Sequence, residues 1–169
     1  MDQKNYGNAI EDYNKAILYY PNYATAYNQR GLTYYNTGKY VQARADLTKA
    51  IELNPKMAAA HNNLGLIYFY VDKDDSKALA EYNLAISLQP NGEVQYSNRG
   101  EVYVDQGKTD EAMADFNKAI DISGDQVYYA YYYRGLLYEK LGDVKSARKD
   151  LQKAVDLGYQ KAEAELKRL

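Results

Sequence analysis

Small and apolar residues recur along this chain with the spacing of a helix, and the whole pattern repeats every 34 or 35 residues. Gly31, Gly65, Gly100 and Gly135 stand 34, 35 and 35 residues apart. Four residues before each comes a ring (Tyr27, His61, Tyr96, Tyr131), and three after each a tyrosine (Tyr34, Tyr68, Tyr103, Tyr138). These offsets put ring, glycine and tyrosine on one helical face. A second stripe follows each glycine: Ala43–Leu47–Ala50, Ala78–Tyr82–Ala85, Ala112–Phe116–Ala119 and Ala147–Leu151–Ala154. Gly38, Gly107 and Gly142 lie between the stripes, as suits a helix C-terminus. Pro21, Pro55 and Pro90 fall five residues after a second alanine, where proline stops a helix. The pattern predicts helices near 7–20, 24–37, 40–53, 58–71, 75–88, 93–106, 109–122, 127–141, 144–157 and 159–168. A glycine inside a helix costs about 1 kcal/mol relative to alanine. Its recurrence is explained if paired helices approach too closely there for a side chain.

Each unit therefore reads helix, tight turn, helix, turn. With its ring, glycine, tyrosine, alanine, large apolar residue and proline in register, the chain resembles the tetratricopeptide repeat family. The resemblance implies an all-α fold, a right-handed superhelix (α-solenoid) of antiparallel helix hairpins. It divides the chain into a single array: a half repeat at 6–22, repeats at 24–57, 58–92, 93–127 and 128–158, and a capping helix at 159–169. The half repeat, YGNAIEDYNKAILYYP, matches only a second helix (Ala9, Tyr13, Ala16, Pro21), as in an array cut from a longer protein. The second repeat carries YVDKDDSKA, with one extra residue between its helices and Asp72 in place of the turn glycine. The third has Gly124 for proline and one extra residue, and the fourth has Tyr159 for proline. The ending LQKAVDLGYQKAEAELKRL is also similar to Sel1-like repeats. Tyr159, Ala162, Leu166 and Leu169 share one face, which suits a cap over the last repeat.

Composition narrows the chemistry. The 169 residues have a mean hydropathy of −0.68 and contain no apolar run near the ~20 residues of a membrane span. A soluble protein is expected. The start MDQKNYGN has neither the basic nor the apolar stretch of a secretory leader, so the cytoplasm is the default compartment. Net charge is −2, without the concentrated positive surface of a nucleic-acid binder. With no cysteine, disulfides, thiol catalysis and thiolate metal sites are excluded. Tyrosine outnumbers phenylalanine 21 to 2, so the core is rich in hydroxyls that need partners.

Arg30, Arg99 and Arg134 precede three of the glycines, and each has an aspartate sixteen residues on: Asp46, Asp115 and Asp150. The second repeat has Leu64 there, with Glu81 as the matching acid. The arginines could form a row for an anionic ligand. Their shared face with the tyrosines instead favours ion pairs inside each hairpin. His61, the one histidine, takes a core aromatic position and lacks the companions of a metal or nucleophile site. The carboxylates fall at solvent spacing, and DKDD lacks the glycine and distal glutamate of a calcium loop. No catalytic, cofactor or metal residue is expected, and the protein is read as not an enzyme.

In this family the remaining face of each first helix lines a concave groove for peptides. Here that stripe is Thr25, Asn28, Leu32, Tyr35 and Asn36, then Ala59, Asn62, Leu66, Phe69 and Tyr70. It continues with Val94, Ser97, Glu101, Val104 and Asp105, then Tyr129, Tyr132, Leu136, Glu139 and Lys140. Aromatic rings offer flat contact area, and amides can bond a peptide backbone as donor and acceptor. The expected function is a protein-interaction scaffold holding a peptide or helix. The alternative is self-association through the half repeat, or an interaction module within a larger protein. Family members that grip acidic C-terminal tails use groove lysines and an arginine. At the matching positions this chain has Asn28, Leu32, Asn63, Val94 and Asn98, so an acidic tail is not the expected ligand.

Overall fold

The computed structural model describes residues 3–124 and 126–169. They form α1 (Gln3–Tyr19), α2 (Ala24–Asn36), α3 (Tyr40–Leu53), α4 (Ala58–Leu66), α5 (Asp75–Leu88), α6 (Glu93–Asp105), α7 (Thr109–Ser123), α8 (Tyr128–Lys140), α9 (Val144–Asp156) and α10 (Lys161–Arg168). A π-helical segment, Ile67–Asp72, continues α4. No strand occurs among the described residues. The chain divides into two compact units, Met1–Pro90 and Asn91–Leu169.

In the first unit α2 pairs with α3, and α4 pairs with α5. α1 packs on α2, and α3 packs on α4. In the second unit α6 pairs with α7 and α8 with α9, while α7 packs on α8 and α10 on α9. The alanine stripes form the floor of every pair. Ala43, Leu47, Ala50, Ala78, Tyr82, Ala85, Ala112, Phe116, Ala119, Ala147, Leu151 and Ala154 are all fully buried. Opposite them, a Cβ on Gly31, Gly65, Gly100 or Gly135 would stand 2.9, 2.6, 2.7 or 3.0 Å from Leu47, Tyr82, Phe116 or Leu151. Close approach thus explains the recurring glycine.

The second hairpin corrects the sequence reading. Its extra residue lies inside the helix, not in the turn. Gly65 and Ala78 are thirteen residues apart against twelve in the other hairpins, and the π segment absorbs the difference. The turn itself is unchanged. The Asp74 N–H donates to the Tyr68 carbonyl at 2.9 Å, as the Lys39, Lys108 and Asp143 N–H groups do to Tyr34, Tyr103 and Tyr138. The residue in the left-handed turn position is Lys73, at φ 57°, and not Asp72. α1 begins four residues before its expected start, and α10 begins at Lys161 rather than at 159. Arg168 fastens the cap, its Nη1 lying 2.6 Å from Glu139 Oε1 of α8.

Candidate functional site

The arginine row closes on itself. Arg30 grips Asp46 through Nε at 2.6 Å and Nη2 at 2.7 Å. Arg99 grips Asp115 at 2.8 and 2.7 Å, and Arg134 grips Asp150 at 2.6 and 2.9 Å. Each guanidinium also lies between the two tyrosines of its motif. Arg30 is 5.5 and 5.9 Å from the Tyr27 and Tyr34 rings, Arg99 is 5.6 and 5.8 Å from Tyr96 and Tyr103, and Arg134 is 5.4 and 5.9 Å from Tyr131 and Tyr138. The third nitrogen of Arg30 donates to Asn14, and that of Arg134 to Asn117. With donors and faces both engaged, these arginines hold helices together.

His61 is buried, with Nδ1 2.7 Å from Glu81 Oε2 and Nε2 3.0 Å from the Pro55 carbonyl. It ties α4 to α5 and to the preceding loop. Among the described residues, no group of three or more His, Asp or Glu side chains could hold a metal ion. No described helix is long and apolar enough to cross a membrane.

Along the stripe expected to line a groove in the first unit, Asn63 Nδ2 donates to Asn28 Oδ1 at 2.9 Å, and Asn62 Nδ2 lies 3.4 Å from Asn63 Oδ1. All three amides are buried. Phe69 is buried too and meets Tyr70 edge-on, with centroids 4.8 Å apart. Leu32, Tyr35 and Leu66 are half-buried, and Tyr70 is exposed. Asn36 stands apart, lining a recess of about 430 Å³ with Tyr6 and Ile10 of α1. The open part of this face is therefore Leu32, Tyr35, Leu66 and Tyr70, over an amide pair that fixes α2 against α4.

The second unit carries the larger aromatic surface. Tyr159, just before α10, leans back on α8, its ring 5.2, 5.2 and 5.0 Å from those of Tyr128, Tyr129 and Tyr132. Tyr133 stacks on Phe116 and donates its hydroxyl to Glu101 of α6. Burial, then the nearby Glu101 carboxylate, pushes the Tyr133 phenol well above its ordinary range. Burial, then neighbouring tyrosines, pushes Tyr159 up to about 12. Tyr129 and Tyr132 are raised in the same direction, chiefly by burial. These phenols stay neutral near neutral pH, so the charge at this cluster comes from carboxylates.

Beside the cluster lies a cavity of about 410 Å³ between the starts of α6 and α8, bounded by Glu93, Val94, Ser97, Asn98, Tyr128 and Tyr129. The Ser97 hydroxyl donates to the Glu93 carbonyl, one turn back in its own helix. Of the expected groove residues, Val94, Ser97 and Tyr129 line this cavity, and Glu101 and Tyr132 belong to the adjoining tyrosine cluster. The sequence reading did not place Tyr128, Tyr133 or Tyr159 in this aromatic surface. The one hint was Tyr159 itself, standing where three other units have proline.

Comparison with known proteins places this geometry. A model described as tetratricopeptide repeat matches residues 24–57, and another of that description matches 128–158. A further model, described as TPR repeat, matches residues 1–38 and 100–142. No curated protein shows significant similarity to the chain. Among solved structures, MamA is 29% identical, with 96% of this chain and 98% of that one covered and a TM-score of 0.71. A tetratricopeptide repeat protein from Parabacteroides merdae is 26% identical, covering 97% and 64%, with a TM-score of 0.78. YrrB, described as a TPR protein with an unusual peptide-binding site, is 23% identical, covering 98% and 85%, with a TM-score of 0.68. The likeness to YrrB speaks to the fold alone.

Proposed function

Because this chain is built of tetratricopeptide repeats, we propose that it is a non-enzymatic scaffold that binds a segment of a protein partner on the inner face of its first helices. The observation that carries the reading is the aromatic surface of the second unit. Tyr128, Tyr129 and Tyr132 adjoin a cavity with Glu93 at its edge and Glu101 close by, and no lysine or arginine lines that cavity among the described residues. Flat rings, a serine and an amide suit an extended backbone, and the carboxylates favour an apolar or mildly basic segment. An acidic segment would meet like charge without a compensating donor.

Labelled peptides of apolar, basic and acidic-tailed sequence, titrated into the protein, test this by fluorescence anisotropy. Apolar or basic peptides are expected to bind, and acidic ones no tighter than about millimolar, roughly −4 kcal/mol. Tyr129→Ala with Tyr132→Ala should weaken binding while helicity by circular dichroism stays unchanged. Tighter binding of the acidic peptides, or indifference to both tyrosines, would sink the reading.

A further inference from the structure

Consecutive first helices meet differently in the two units. In the first unit Asn28, three residues before Gly31, and Asn63, two before Gly65, bond to each other and join α2 to α4. The same two positions on α6 and α8 are Ser97 and Tyr133. Ser97 is short, and its hydroxyl turns back to the Glu93 carbonyl at 3.0 Å. Tyr133 gives its hydroxyl to Glu101 and stacks on Phe116. The cavity of about 410 Å³ opens beside Ser97. That is near the low end of the ~300–1,000 Å³ of ligand pockets, room for one side chain rather than a length of peptide. Val94 and Tyr129 on its wall are 47 and 44% exposed, so its mouth is accessible.

The charge here also departs from the other repeats. Glu93 stands seven residues before its glycine, where the first two repeats have Ala24 and Ala58. Glu101 stands one after the glycine, where the others have Leu32, Leu66 and Leu136. Glu101 accepts from Tyr133. The half-buried Glu93 carboxylate makes no ion pair and no hydrogen bond among the described residues. The walls thus hold a carboxylate and the rings of Tyr128 and Tyr129, with centroids 4.5 Å apart. These are the parts that surround every hairpin arginine. Arg30, Arg99 and Arg134 each meet a carboxylate and lie 5.4 to 5.9 Å from two tyrosine rings. At the cavity the rings and the acid are present, and no lysine or arginine lines it among the described residues.

We infer that the cavity takes an arginine side chain of the bound segment, an assignment that rests on the scaffold reading above. The guanidinium lies against Tyr128 and Tyr129 and donates to Glu93. A planar fork can engage rings and carboxylate together, and an arginine set in a pocket is a strong anchor. Glu101 adds negative charge nearby and disfavours an acidic residue at the same place.

Labelled, acetylated peptides Ser-Ala-Leu-Xaa-Leu-Ala-Ser, with arginine, lysine or uncharged citrulline at Xaa, are titrated into the intact protein by fluorescence anisotropy. The arginine peptide is expected to bind about tenfold tighter than the citrulline peptide, with lysine weaker than arginine. Glu93→Gln should remove the preference for arginine over citrulline. Glu111→Gln, which takes the same charge from an exposed site at the start of α7, should keep it. Circular dichroism verifies that each variant is folded. Equal affinity for arginine and citrulline, or a preference that survives Glu93→Gln, would overturn the inference and leave the scaffold reading standing. Lysine bound as tightly as arginine would overturn the guanidinium assignment. Free arginine competing as well as the peptide would make the cavity a small-molecule site instead. No binding of any peptide up to millimolar would remove the scaffold reading and this inference together.

Discussion

In the first, third and fourth hairpins one arginine does two jobs: it neutralises a buried aspartate on the second helix and lies between two tyrosine rings. In the second hairpin the jobs are divided. His61 meets Glu81, and the ring of Tyr68 receives Arg44 from α3 at 5.4 Å and Lys77 from α5 at 5.6 Å. Arg44 continues to Asp72 in the π segment at 2.6 Å. A planar fork with five donors can face acid and rings together, and a histidine cannot. The second hairpin therefore moves part of its polar chemistry out of the helix pair and onto the contact with its neighbour. That contact is wetter. Arg44 and Asp72 keep 37 and 32% of their side-chain surface exposed, against 19 and 7% for Arg99 and Asp115.

The difference should be measurable in urea unfolding. Asp115→Ala leaves the Arg99 guanidinium without its carboxylate in a mostly buried place and is expected to cost about 3 kcal/mol. Arg44→Ala breaks a wetter pair and should cost under about 1 kcal/mol. Equal losses would erase the distinction between the two kinds of hairpin. Next in size is the glycine. Gly100→Leu should cost about 2 kcal/mol by overpacking against Phe116. Gly7→Ala, with nothing within 4 Å of the new methyl group, should stabilise by up to about 1 kcal/mol. A Gly100→Leu protein that melts like the parent would show that α6 and α7 do not meet there.

The turn offers a smaller, reciprocal test. Lys73 holds a left-handed conformation that Gly107 holds without strain. Lys73→Gly should raise stability by about 1 kcal/mol, and Gly107→Lys should lower it by about as much. Changes of the opposite sign would show that the Lys73 side chain supports the π segment. A further test is alkaline, and it belongs to the second unit. Tyr159 titrates at about 12 in the folded chain, above the ordinary phenol value of about 10. The folded state thus prefers the neutral phenol. That contribution is complete below pH about 10 and is lost as pH rises through about 12. Phenolate absorbance against pH, compared between the parent and Tyr159→Phe, checks it. A Tyr159 that titrates like a free phenol would place it outside the cluster.

The hairpins were legible because each rests on a periodic choice of small residue against large: Gly31 with Leu47, Gly100 with Phe116. The arginine pairs were legible because sixteen residues bring opposite helices together across a tight turn. The extra residue of the second hairpin was visible as a count, but a count cannot decide between loop and helix. Packing decides, by keeping Tyr68 and Asp74 in the geometry of the other turns. Periodicity placed Ser97, Glu101, Tyr129 and Tyr132 on first helices, α6 and α8. It could not foresee that Asn28 and Asn63 would satisfy each other, nor that Tyr159 would lean back on α8. Both contacts join residues about 30 or more apart across a repeat boundary, where no single-helix pattern records them.

The arginine–aspartate pairs each close a loop of only 16 residues, and the Asn28–Asn63 link spans 35. Such short separations keep loop-closure entropy small and contact order low, so folding is expected on the scale of about microseconds to milliseconds. They also fix an order of events during synthesis. The Arg30–Asp46 and Gly31–Leu47 contacts that join α2 to α3 can form once Asp46 and Leu47 have left the ribosome, before any residue of α4 is needed. Within each unit the later hairpin can then condense on the one already formed, so the nascent chain holds about one unpaired helix while it waits for its mate.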